Sequence, residues 1–77
     1  MAFTVRIGGS ERAIELEKSD SQFFPSQGNI VKTMIAKVSS NRFQTLAITT
    51  NGTWLDEYPS LEQAVSALQA WYDTLGI

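Results

Sequence analysis

An Asn-Gly pair set between two apolar runs, Asn51-Gly52, constrains this chain more than any other feature. Both central residues of a type I′ turn need positive φ, which Asn and Gly tolerate, so the pair fixes a tight hairpin and with it a strand register. Strands follow at 42–50 and 53–58. Ser40-Asn41 supplies a second short loop that joins 42–50 to a strand at 30–38. With both loops two residues long, Ile48 falls opposite Leu55, Leu46 opposite Ile35, and Thr49 opposite Trp54. One sheet face then carries Val31, Ile35, Leu46, Ile48 and Leu55. The opposite face carries Ile30, Met34, Ala36, Val38, Phe43, Ala47, Trp54 and Tyr58, so both faces are apolar.

Ahead of this meander, Phe3, Val5 and Ile7 alternate with polar residues, and Ile14 and Leu16 do so again after the break at Gly8-Gly9-Ser10-Glu11. That two-residue period predicts a hairpin with strands at 2–8 and 12–18. Residues 19–29 have the composition of a loop except for Phe23 and Phe24, which either plug the end of a core or stand out as an anchor for a partner. Pro25 pushes Phe24 toward an extended backbone.

Pro59 stops the last strand, and Ser60 with Gln63 forms a capping box for a helix over 60–75. Leu61, Val65, Leu68, Trp71 or Tyr72, and Leu75 give that helix an apolar stripe, with Gly76 where a C-terminal cap belongs. The expected fold is α+β in a single domain over 1–77: an antiparallel meander of about five strands with one C-terminal helix packed on one sheet face.

One helix covers one face. Either the N-terminal hairpin curls over the other as a second layer, or another chain covers it, as a homodimer or as a protein partner. Aromatic anchors direct the expected contact set to Trp54, Tyr58, Phe43 and Met34, together with Phe23 and Phe24.

Chemistry is narrowed by absence. Among 77 residues there is no cysteine and no histidine, which removes disulfides, thiolate or imidazole metal ligands, and every Ser-His or Cys-His nucleophile pair. Asp56 and Glu57 are adjacent on a strand and point to opposite faces, so they do not converge on one substrate atom. Gly8-Gly9-Ser10 lacks the following helix and lysine of a phosphate-binding loop. The expectation is therefore no enzyme, no catalytic residues, no metal and no cofactor. The apolar runs are too short to span a bilayer, and a cytoplasmic protein without membrane contact is expected.

All six basic residues lie within the first 42 positions, and the segment from Phe43 onward carries four acids and no base. A nucleic-acid surface would draw on Arg6, Arg12, Lys32 and Arg42, but Lys37 falls on the face opposite Lys32, so the bases are dispersed and nucleic acid is disfavoured. The order of a three-stranded meander followed by a helix, through Gly52-Thr53-Trp54 and Tyr58-Pro59-Ser60-Leu61-Glu62-Gln63-Ala64, resembles the arm-type DNA-binding domains of tyrosine recombinases over about the last third of the chain. That resemblance implies a sheet-plus-helix domain that binds DNA. The residues themselves point first to a non-enzymatic interaction module: a small regulator, inhibitor or accessory subunit acting by surface occlusion, in the manner of phage-encoded inhibitors of host machinery.

Overall fold

In the computed structural model, which describes residues 3–7, 9–16, 21–24 and 26–75, six antiparallel strands and one helix form an α+β fold. The strands are β1 (Phe3–Ile7), β2 (Ser10–Ile14), β3 (Ser21–Phe24), β4 (Ile30–Ser39), β5 (Arg42–Thr49) and β6 (Gly52–Tyr58), followed by helix α1 (Leu61–Thr74). β1 and β2 form a two-stranded sheet, and the others form a four-stranded sheet in the order β3-β4-β5-β6. The expected ends of the first hairpin at Ala2, Gly8, Glu17 and Lys18, and the expected cap at Gly76, lie outside the described residues.

The turn after β5 sits one residue earlier than the Asn-Gly pair suggests. Thr49 pairs with Gly52, so the loop is Thr50-Asn51 and Gly52 is the first residue of β6, at a φ of 149° that favours glycine. The Thr49 hydroxyl donates to the Gly52 carbonyl at 3.0 Å and accepts from the Asn51 N–H at 3.1 Å, which holds this placement. Leu46 now faces Leu55, and Ala47 faces Trp54. Because the pairing slips by two positions, each side chain of β5 and β6 keeps the face expected for it.

β4 does not keep its faces. Ser39 pairs with Arg42 as expected, but Lys37 pairs with Phe43, leaving Val38 as an extra residue, and a second irregularity at Val31 separates the Ile30–Thr49 and Lys32–Ile48 pairs. Between these bulges the strand is turned over: Ile35 faces Thr45 rather than Leu46, and Met34 faces Leu46. Lys32 supplies the reason. In the unbulged register its ammonium would point into the middle of the core face, an expensive burial for an unpaired charge. The two bulges turn Lys32 outward, keep Ile30 inside and bring Ile35 in, while Lys37 comes to the sheet margin beside Phe43.

The segment read as a loop holds a strand. In β3, Phe23 pairs with Met34 and Phe24 with Thr33, so the adjacent aromatics point to opposite faces. Only four residues pair, too few for alternation to stand out among serine and glutamine neighbours.

The Ser60 hydroxyl accepts from the Gln63 N–H at 3.2 Å, as the capping box requires. The helix buries Ala64, Val65, Leu68 and Tyr72 against Phe24, Ile30, Ile35 and Phe43 of the large sheet and Val5, Ile7 and Ile14 of the hairpin. Hairpin and helix thus share one face of the large sheet, its inner face.

Two glutamine side chains join the small sheet to the rest. Gln69 of α1 accepts from the Arg6 N–H at 2.7 Å and donates to the Arg6 carbonyl at 3.1 Å, taking the place of a neighbouring strand beside β1. Gln22 of β3 accepts from the Glu15 N–H at 2.9 Å and donates to the Ala13 carbonyl at 2.6 Å, bridging β3 to β2.

Candidate functional site

The outer face of the large sheet carries a single apolar row that crosses all four strands. Phe23 pairs with Met34, Met34 with Leu46, and Leu46 with Leu55, so these side chains stand side by side. The two ends are the most open: Phe23 is 57% exposed and Leu55 62%. Ala36, Gln44 and Glu57 border the row on one side; on the other, Lys32 and Thr53 flank the half-buried Ile48, which widens the apolar surface there. The Lys32 ammonium sits 4.9 Å from the centre of the Phe23 ring, a cation–π contact that orders the aromatic end. Glu57 accepts two bonds from Arg42, at 3.0 and 2.9 Å, and one from Gln44 at 3.0 Å. The bonds from Gln44 and then Arg42 hold its carboxyl below the ordinary range.

Of the residues expected to touch a partner, Phe23 and Met34 lie in this outer row. The others lie on the inner face. Phe43 and Phe24 are buried in the core, Tyr58 packs against it, and Trp54 stacks on Trp71 of the helix with ring centres 5.6 Å apart. The helix therefore covers the aromatic side and leaves the aliphatic one. Leu46 and Leu55 of the aliphatic face, outside the expected contact set, complete the outer row. Small buried residues on the inner face, Thr33, Thr45 and Ala47, are the signal for where the helix sits, because they let it approach the sheet closely.

The four bases named for nucleic acid do not converge. Arg6 pairs with Glu11 and Arg12 with Val5, which places the two arginines on opposite faces of the hairpin. Lys32 is on the outer sheet face over Phe23, and Arg42 is held by Glu57. The carboxylates are likewise occupied or apart. Asp56 faces inward, accepting from the Tyr58 hydroxyl at 3.2 Å and from the Glu57 N–H at 2.9 Å, while Glu57 faces outward. A shallow cleft of about 270 Å³ near the Thr50-Asn51 turn is lined by Gln27, Gly28, Asn29, Ile30, Thr49, Asn51 and Leu75, none of which titrates. Among the described residues no helix is long and apolar enough to cross a membrane.

Beneath the helix, the hydroxyls of Thr33, Thr45 and Tyr72 are buried without a partner in hydrogen-bonding geometry. Burial raises the Tyr72 hydroxyl above its ordinary pKa, with the nearby Thr33 hydroxyl offsetting part of the rise. Folded Tyr72 thus keeps its proton to higher pH than the unfolded chain does. Its contribution to stability is intact below about pH 10 and is lost as pH climbs from there through the folded value. Denaturant midpoints measured between about pH 8 and 11 should fall for the wild type and fall less steeply for Tyr72→Phe. Tyr58, raised by burial and by Asp56, retains the remaining slope. Identical slopes in the two proteins would refute this assignment.

Compared with known protein families, with curated proteins and with solved structures, the chain matches none.

Proposed function

We propose that this chain is a non-enzymatic protein–protein interaction module, a small regulator, inhibitor or accessory subunit that works by covering a surface of its partner. The observation that supports this reading is the uncovered row Phe23-Met34-Leu46-Leu55. Among the described residues, the elements outside the large sheet, the hairpin and the helix, lie on the other side. Apolar residues aligned across a sheet, with Lys32, Gln44, Thr53 and Glu57 among their neighbours, resemble the centre and rim of a protein contact surface. The contact set of this proposal is Phe23, Met34, Leu46 and Leu55.

The test is an affinity capture from cells of the source organism, with the double variant Phe23→Asp/Met34→Thr beside the wild type. Since central contact residues contribute about 2 kcal/mol or more each, the variant should lose a specific partner by about thirtyfold or more. Its unfolding midpoint should stay near that of the wild type, because neither side chain belongs to the core cluster. Capture of the same partner at unchanged affinity would overturn the outer row as the contact surface.

A further inference from the structure

β6 is an open sheet edge with an unusual pattern. β1 is lined by the Gln69 side chain and β2 by that of Gln22, whereas β6 and the shorter β3 are the two end strands of the large sheet, and no described residue pairs with the free edge of β6. The pairing of β6 with β5 runs without a bulge over all seven residues and β6 contains no lysine and no proline; the edge protection it carries is the charge of the inward Asp56 and the outward Glu57. Thr49 and Gly52 flank a two-residue loop, which makes them a hydrogen-bonded pair. Bonded and non-bonded pairs then alternate along the hairpin, leaving the backbone groups of Thr53, Leu55 and Glu57 directed away from β5. The Glu57 N–H confirms the direction: it donates to its neighbour's Asp56 Oδ1 rather than across the ladder.

We propose that β6 pairs antiparallel with β6 of a second copy of this chain about a two-fold axis at Leu55, joining the two large sheets into one. In this register Leu55 faces Leu55 of the second copy, and Thr53 faces Glu57 on either side, so all three outward-directed residues of each strand find backbone partners. The Thr53 carbonyl of the second copy takes the place of Asp56 Oδ1 at the Glu57 N–H. Trp54 falls opposite Asp56, and no like charges meet. Centring the axis on Asp56 would set two aspartates side by side, and centring it on Trp54 would leave Glu57 beyond the paired segment; both are poorer. The apolar row then runs unbroken from Phe23 of one copy, through the two Leu55 side chains, to Phe23 of the other. The pairing goes beyond the proposed interaction role, and it is read on the isolated protein with substitutions that leave Phe23 and Met34 in place, so either proposal can fail alone.

Sedimentation of the purified protein over a wide concentration range should show a monomer–dimer equilibrium. Thr53→Glu, which puts a carboxylate opposite Glu57 twice per dimer, should weaken the dimer by about two- to tenfold, and Thr53→Lys should strengthen it by a similar factor. Thr53→Pro removes an outward N–H without breaking the β5 ladder and should abolish the dimer, with circular dichroism confirming that the monomer is folded. A wild type that stays monomeric at millimolar concentration overturns the proposal. So does a dimer that both Thr53→Glu and Thr53→Lys leave unchanged, since the contact then lies elsewhere.

Discussion

Leu68→Ala is expected to lower the unfolding free energy by about 2–5 kcal/mol, measured from urea or thermal denaturation. Leu68 is fully buried at the centre of the helix stripe, between the hairpin residues Val5 and Ile7 and the large sheet. Truncating it removes transfer energy and leaves a cavity that a helix anchored at both ends cannot collapse. A chain of 77 residues has roughly 4–12 kcal/mol of stability in all, so the variant should be marginally folded at best at 37 °C. Leu55→Ala, the same substitution in the outer row, should cost less than about 0.5 kcal/mol in the monomer, because that side chain is already mostly in water. Equal losses at the two positions would contradict the assignment of inner and outer faces.

Trp54→Ala is expected to cost about 1–3 kcal/mol of stability, through loss of the stacked Trp54–Trp71 pair, whose planes lie within 13° of each other. Trp71 is itself edge-on to Tyr72 at 5.1 Å, so the truncation loosens a run of aromatics that fastens α1 to β6. Two unfolding curves, for Trp54→Ala and Trp71→Ala, together with the double variant, close a cycle. The double variant should lose less than the sum of the singles, and strict additivity would show that the stack contributes nothing. A binding defect in Trp54→Ala alone reports on folding as much as on contact, which is why Phe23 is the better probe of the surface.

Much of this architecture is legible in the residues. The Ser60 cap on the Gln63 N–H, the helix stripe and the faces of β5 and β6 follow from local chemistry that tertiary packing does not override. β4 is different. Val-Lys-Thr-Met-Ile-Ala-Lys-Val offers apolar residues at both parities, so its periodicity chooses neither face, and the bulged register is favoured because it moves Lys32 out of the centre of the core face and leaves Lys37 at its margin. The same ambiguity hides the candidate surface. With two apolar faces, aromatic size draws attention to Trp54, Tyr58 and Phe43, yet large rings are also what a helix needs to fill the gap over a sheet floored by Thr45 and Ala47. Phe23 and Phe24 illustrate the point most compactly: one backbone step separates a core residue from an exposed one, and the step becomes visible once β3 is known to pair with β4.

The bond between Arg6 and Gln69 spans 63 positions of the chain. During synthesis, β1 is made long before the element that completes its outer edge, and Val5 and Ile7 likewise wait for Leu68. The four-stranded sheet, built of adjacent hairpins, can form as it emerges, and β1 can pair with β2, but the outer edge of β1 and its buried side chains wait until the helix is made. This order makes the hairpin the last part to be secured and the first to come loose, the region that a chaperone or protease would meet on a newly made chain.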